Sequence, residues 1–164
     1  MNIDSLIRPN IKLLKPYSSA REIWKQREGI LLDANENSFG SVLSEGMNRY
    51  PDPFHRALKQ KLSLTKGIDP DRIFLGSGSD EAIDLLFRIF CEPGIDKALI
   101  PQPTYGMYQV CAAIHNIGVL SPTLSDDFQP DVAEILHSVD ERTKLIFLCS
   151  PNNPTGTVME LDLL

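Results

Sequence analysis

The sequence predicts an α/β fold built on a mainly parallel sheet flanked by helices. From residue 69 onward, short apolar runs alternate with segments whose apolar residues repeat at helical spacing, which is the pattern of β-α-β units. The chain has 164 residues, of which 42% are hydrophobic and 23% charged, as in an ordinary globular domain. Its three cysteines and three histidines lack the spacing of a disulfide framework or a metal site. We therefore expect a globular protein without metal chemistry.

The charge pattern argues against nucleic acid as a partner. The formal net charge is −6, and the 16 lysines and arginines are scattered rather than gathered into a stripe. No apolar run approaches the roughly 18 residues of a membrane span, and the first residues lack the basic region of a signal peptide. We expect a cytoplasmic protein that binds neither nucleic acid nor membrane.

Residues 1–29 are predicted to form an N-terminal arm and a helix. The stretch 8–27 is weakly periodic, and Pro9 and Pro16 interrupt it, which favours an extended segment. A short helix is expected over 18–25.

Residues 30–68 are predicted to lead into the main domain. The run 30–33 is apolar and strand-like, and it ends in the polar loop 35–40. A second loop over 49–53 precedes a predicted helix over 54–64.

Residues 69–164 carry the predicted sheet. Each proposed strand is a short apolar run, and each proposed helix has an apolar face. The strands are predicted at 72–75, 97–100, 118–120 and 144–149, and the helices at 80–90, 105–115 and 131–138.

The first segment with possible chemistry is Gly-Ser-Gly-Ser-Asp-Glu at 76–81, at the start of a predicted helix. Unpaired backbone N–H groups and the helix dipole favour a phosphate there, and Ser77 or Ser79 could add a hydroxyl donor. The same residues fit a structural turn in which Ser77 and Asp80 cap the helix. The segment is neither a dinucleotide-binding fingerprint nor a Walker loop.

A tyrosine follows the second predicted strand, in the loop 101–106. Open α/β sheets bind ligands at the carboxyl ends of their strands, so Tyr105 could stack on a flat ring. An interior aromatic that packs against the next helix is an equally good interpretation.

The segment Ser-Pro-Asn-Asn-Pro-Thr-Gly at 150–156 follows the most apolar predicted strand. Its prolines would hold an asparagine amide in place, and such an amide can donate to a phenolate oxygen. A plain Asn-Pro turn is the alternative.

Seven segments of this kind occur in one order along the chain. They are 14–21, 32–37, 49–53, 76–81, 90–94, 103–108 and 153–156. In that order they resemble the motifs of the fold-type I pyridoxal-phosphate-dependent aminotransferases, and within them the histidinol-phosphate aminotransferases. The resemblance implies amino transfer between L-histidinol phosphate and 2-oxoglutarate, giving imidazole-acetol phosphate and glutamate, in histidine biosynthesis.

The resemblance also implies a set of cofactor-binding residues. Ser79 and Asp80 would give main-chain donors to the phosphate of pyridoxal 5′-phosphate. Tyr105 would stack on the pyridine ring, and Asn153 would bond its 3′-oxygen.

Three further residues carry implications for substrate and assembly. Tyr50 would reach the cofactor phosphate of a neighbouring subunit, which implies a homodimer. Tyr17 and Asn35 would face an amino-acid-like phosphate substrate.

The chain departs from the family's pattern at one residue and over a long region. Ser38 stands where the family usually has proline. The family's Schiff-base lysine, its later strands and its small domain would lie beyond residue 164, so we expect an N-terminal portion that is inactive alone. Because the intervening strands would come later, the stretch 72–75 is predicted to form no ladder with the strands near 98, 119 and 147.

Three alternatives remain open from the sequence. The chain could belong to another pyridoxal-phosphate aminotransferase or to a threonine-phosphate decarboxylase. It could also be a non-catalytic, truncated module.

Overall fold

The computed structural model describes residues 2–18, 30, 32–43 and 46–160. The chain forms two compact units, Met1–Leu14 with Gly76–Leu164, and Lys15–Leu75. We call them the sheet unit and the loop unit. In the described ranges, no helix combines the length and apolar character that crossing a membrane requires.

Helices and strands alternate through the sheet unit, as the sequence predicts. The described elements are the 3-10 helix Ile3–Ser5, α1 (Pro9–Lys12), α2 (Arg56–Lys66), the 3-10 helix Pro70–Arg72, α3 (Gly78–Phe90), β1 (Lys97–Leu99), α4 (Met107–Ile114), β2 (Gly118–Leu120), α5 (Val132–Ser138) and β3 (Thr143–Ile146).

The three strands form a parallel sheet in the order β2-β1-β3. The central strand pairs Leu99 with Leu120 on one side and with Ile146 on the other. Because all the strands are parallel, their carboxyl ends share one edge, from which the loops after β1 and β3 emerge. The predicted α/β class with a mainly parallel sheet is confirmed.

A hydrophobic core lies where α3 and α4 cover this sheet, and it includes Phe87 of α3 and Ile100, which follows β1; both are fully buried. Leu99 of β1 is also fully buried but lies outside this cluster. The Phe87 ring packs against Phe147 with centroids 5.2 Å apart. The apolar stripe read from the sequence of α3 therefore faces the core.

The first residues of the chain pack against the end of α3. The guanidinium of Arg8 donates to the Glu92 carboxylate at 2.9 Å and to the Arg88 carbonyl at 2.9 Å. Pro9 does not interrupt the chain as predicted; it is the first residue of α1. Proline suits that position because its missing N–H would have no helical partner there.

The predicted strand over 72–75 is wrong. Arg72 ends a 3-10 helix that begins at Pro70, and residues 73–75 belong to no strand, although the backbone of Ile73 is extended. The Asp69 side chain accepts from the Asp71 N–H at 2.9 Å, so local capping bonds form the turn instead. No ladder within the described residues includes this stretch, which agrees with the predicted lack of pairing.

Two other expectations concern the start of the chain. The described positions 30, 32 and 33 are not in a strand. Ile30 and Leu32 are exposed, so no apolar burial holds the run against a sheet. The helix predicted over 18–25 lies outside the described residues except for Ser18, which is not helical.

Candidate functional site

The N-terminus of α3 presents free backbone donors in the sheet unit. Gly78 has φ +80, a conformation that glycine adopts readily. Ser77 is the N-cap residue, but its side chain makes no capping bond; its N–H donates to the Glu81 carboxylate at 2.5 Å. The predicted cap by Ser77 and Asp80 is therefore replaced by one from Glu81. The N–H groups of the first helical turn, including those of Ser79 and Asp80, have no intrahelical partner.

The Asp80 side chain bonds to Tyr105 instead. The phenol Oη of Tyr105 donates to Asp80 Oδ1 at 3.0 Å. This bond to a carboxylate is the main cause that raises the pKa of Tyr105 above its ordinary value. The phenol therefore stays protonated and acts as a donor at neutral pH.

The Tyr105 ring packs edge-on against a second tyrosine. Its centroid lies 5.6 Å from that of Tyr108, at an interplanar angle of 87°. Tyr108 in turn stacks on Phe147 at 4.7 Å. The ring of Tyr105 is thus partly buried against the core, as expected for an aromatic that packs against the following helix.

The two asparagines of the loop after β3 have different environments. Asn152 is buried, and its amide donates to the Pro103 carbonyl at 3.0 Å and accepts from Thr104 Oγ1 at 2.9 Å. Asn153 is exposed. Sequence reasoning missed Asn152 because both asparagines occur in the same motif and nothing local distinguishes them.

These contacts bring together three segments that the sequence predicted separately. Asp80 and Tyr105 meet directly. The loop of Asn153 reaches the loop of Tyr105 through the bond between Asn152 and Thr104. The carboxyl edge of the sheet therefore carries free N–H donors, an aromatic ring and an exposed amide.

In the loop unit, one carboxylate connects the loops that carry two of the remaining predicted residues, Asn35 and Tyr50. Glu36, whose side chain is 3% exposed, pairs with the Arg49 guanidinium at 2.6 Å and accepts the Tyr50 N–H at 2.7 Å. Glu36 directly follows Asn35, so this carboxylate ties the loop of Asn35 to that of Tyr50. The ring of Tyr50 is 66% exposed. Tyr17 lies exposed elsewhere in this unit.

Sequence reasoning also missed Glu36. The signal available was an acidic side chain between two asparagines, followed by a basic residue 13 positions later. Nothing in the local pattern indicated that these two side chains pair.

Comparison with known proteins identifies relatives over most of the chain. A histidinol-phosphate aminotransferase of Cytophaga hutchinsonii is 53% identical over 161 residues, covering 98% of this chain and 46% of that protein. The chain spans under half the length of the curated relatives it matches.

Solved structures of the same fold are similar at lower identity. The histidinol-phosphate aminotransferase from Clostridium acetobutylicum has a TM-score of 0.60 and 27% identity, covering 70% of this chain and 33% of that one. The alanine aminotransferase from Pyrococcus furiosus has a TM-score of 0.57 and 28% identity, covering 66% of this chain and 28% of that one.

The family match covers the whole sheet edge described above. Residues 27–164 match the family described as aminotransferase class I and II. That range includes the turn at 76–81 and the loops after β1 and β3. The chain belongs to the aminotransferase class I and II family.

Proposed function

We propose that this chain is part of a pyridoxal-phosphate-dependent histidinol-phosphate aminotransferase. The reaction exchanges an amino group between L-histidinol phosphate and 2-oxoglutarate, giving imidazole-acetol phosphate and glutamate. The observation that carries this proposal is the 53% identity, over 98% of the chain, to a relative of that name. The activity is proposed for the complete protein, since the chain spans 46% of that relative.

The residues at the sheet edge fit pyridoxal 5′-phosphate. The unpartnered N–H groups of Ser79 and Asp80 would hold the phosphate. Tyr105 would contact the pyridine ring, and the exposed amide of Asn153 would donate to the 3′-oxygen. When bound, the cofactor would supply the electron sink that amino transfer requires.

The bond between Asp80 and Tyr105 supports this arrangement. A carboxylate beside a phosphate repels it unless the side chain is held pointing away from the anion. Here Asp80 Oδ1 accepts from the Tyr105 phenol at 3.0 Å. Asp80 would then use its backbone for the anion and its side chain to orient the ring.

The loop unit would contribute to substrate binding and assembly. The Tyr50 ring is exposed, so it is available to the cofactor phosphate of a second subunit in a homodimer. Asn35 and Tyr17 are also exposed, and they would face the substrate. We further propose that residues 69–164 form the first half of the cofactor-binding domain.

An amino-donor panel tests this function. The protein expressed from its complete coding sequence is purified with pyridoxal 5′-phosphate, and glutamate formation from 2-oxoglutarate is measured. L-histidinol phosphate should be the best donor by kcat/KM, ahead of alanine and aspartate. A preference for alanine would contradict the substrate assignment and favour the specificity of the Pyrococcus furiosus relative.

Borohydride reduction tests the covalent chemistry independently of the substrate. The protein is incubated with pyridoxal 5′-phosphate, reduced and mapped by mass spectrometry. A stable adduct at one lysine supports an enzyme, and the absence of both adduct and turnover would support a non-catalytic module.

A further inference from the structure

Asn152 has the most enclosed polar side chain of the loop after β3. It is 6% exposed, and among the described residues only Asp96 and Asn152 are buried and polar. A buried amide must find hydrogen-bond partners, because unpaired polar groups are costly away from water.

The carboxamide of Asn152 meets that requirement with partners on two loops. Nδ2 donates to the Pro103 carbonyl at 3.0 Å and to Thr155 Oγ1 at 2.9 Å, and Oδ1 accepts from Thr104 Oγ1 at 2.9 Å. Both amide hydrogens are therefore used. Two of the three bonds cross to the loop after β1.

The backbone of Asn152 closes its own loop. Its N–H donates to the Thr157 carbonyl at 2.8 Å, and its carbonyl accepts from Gly156 at 2.7 Å. The cross-loop bonds and the loop-closing bonds thus meet at one residue.

The neighbours of these contacts are the predicted ligands. Thr104 directly precedes Tyr105, and Asn152 directly precedes Asn153. No hydrogen bond of the Asn153 side chain occurs among the described residues, whereas the Asn152 side chain is fully engaged. The Asn152 amide is therefore used within the protein, and the adjacent Asn153 amide is available to a ligand.

We propose that Asn152 is a positioning residue that locks the loop of Asn153 to the loop of Tyr105, so that the amide and the ring reach the same ligand. This inference rests on the proposed function for its ligand, pyridoxal 5′-phosphate. Asn152 itself does not touch the cofactor. It acts through the placement of Asn153 and Tyr105.

A double-mutant cycle tests this coupling. The dissociation constant for pyridoxal 5′-phosphate is measured by equilibrium dialysis for wild type, Asn152→Ala, Asn153→Ala and the double variant. Each single change should weaken binding by about tenfold, the order expected for one lost hydrogen bond. The double variant should be well short of the roughly hundredfold loss that independent sites would give. A full hundredfold loss would overturn the proposal.

A spectroscopic readout separates positioning from stability alone. Asn153→Ala should shift the pH at which the absorption of the bound cofactor changes, because the 3′-oxygen loses its donor. Asn152→Ala should produce a shift in the same direction. Ile135→Ala, which removes a buried side chain of α5, should weaken folding and leave that pH unchanged. If Asn152→Ala behaved like Ile135→Ala, the residue would be structural only.

A less disruptive variant, Thr104→Val, tests the same coupling if Asn152→Ala does not fold. Thr104→Val removes one cross-loop bond and leaves the loop-closing bonds of Asn152 intact. Without cofactor, it should speed amide hydrogen exchange at residues 153–157, and unchanged exchange would contradict the lock. If wild type fails to bind pyridoxal 5′-phosphate while Thr104→Val still speeds this exchange, the proposed function fails and the loop coupling stands.

Discussion

Different interactions stabilise the sheet unit and the loop unit internally. The sheet unit buries Phe87, Leu99 and Ile100 completely. In the described part of the loop unit no residue is buried, and Phe39 and Leu32 are almost fully exposed. The Glu36 carboxylate, by contrast, is nearly enclosed by its polar partners.

The predicted ligands of the two units are therefore held in place by different interactions. In the sheet unit, an apolar core fixes the strands, and the loops at their carboxyl ends follow. In the loop unit, hydrogen bonds to the Glu36 carboxylate join the loops, together with one from the Asn48 amide to the Asn37 carbonyl at 2.8 Å. We therefore expect substitutions in the sheet unit to lower the free energy of unfolding strongly, and substitutions in the loop unit to have smaller, local effects.

The largest effect should come from the core of the sheet unit. Phe87 is 0% exposed and packs between Phe147 and His115. Phe87→Ala should lower the free energy of unfolding by about 3–5 kcal/mol. Urea denaturation followed by circular dichroism measures it.

The matched control lies on α2 in the loop unit. Leu64 is 86% exposed, so Leu64→Ala should change the same free energy by less than about 0.5 kcal/mol. Equal losses for the two variants would mean that the loop unit also buries a core.

The next effect is pH-dependent and belongs to the sheet unit. Burial raises the pKa of the Cys91 thiol from 9.0 to about 12. The folded chain therefore keeps a proton that the unfolded chain releases above pH 9. The stabilisation is complete below pH 9 and is lost as the pH rises toward 12.

Comparison with Cys91→Ala isolates this contribution. Between pH 8 and pH 11 the unfolding free energy of wild type should fall by roughly 2–3 kcal/mol more than that of the variant. Denaturant titrations at the two pH values measure the difference. Identical losses in both proteins would show that the thiol titrates alike in the folded and unfolded chains.

A smaller, local effect should come from the loop unit. Glu36→Ala removes the acceptor of the Tyr50 N–H and the partner of Arg49. We expect the opening free energy at the Tyr50 amide to fall by about 1–3 kcal/mol, while amides of β1 stay protected. Hydrogen exchange by residue measures both.

Glu36→Gln is the control for charge in this prediction. It keeps an oxygen that can accept the Tyr50 N–H and loses the ion pair with Arg49. Its effect should therefore be smaller than that of Glu36→Ala. If both variants left Tyr50 exchange unchanged, the carboxylate would not hold these loops.

The sheet unit was also the more predictable part of the chain. The helical period in 80–90 correctly indicated α3, and the apolar runs near 98, 119 and 145 correspond to β1, β2 and β3. Apolar periodicity indicates that one face of a helix or strand is buried, and the helices and strands of this unit pack one face against the core. The helix predicted over 54–64 also exists, shifted to Arg56–Lys66.

The parts that sequence reasoning could not predict depend on distant partners. The Asn152 side chain is held by hydrogen bonds to Pro103 and Thr104, which lie 49 and 48 residues away. Glu36 meets Arg49 across 13 residues. No local period encodes such pairs, so the motifs indicated where the candidate site lies and did not distinguish ligands from supports.

We propose that the carboxyl edge of the sheet unit binds pyridoxal 5′-phosphate, with the phosphate on α3 and the ring between the loops after β1 and β3. Hydrogen–deuterium exchange with mass spectrometry tests it most directly, in the protein from its complete coding sequence. Pyridoxal 5′-phosphate should protect segments 77–81, 103–106 and 152–157, and pyridoxal without phosphate should protect the last two and not the first. Equal protection of 77–81 by both compounds, or no protection in these three segments, would contradict this placement of the cofactor.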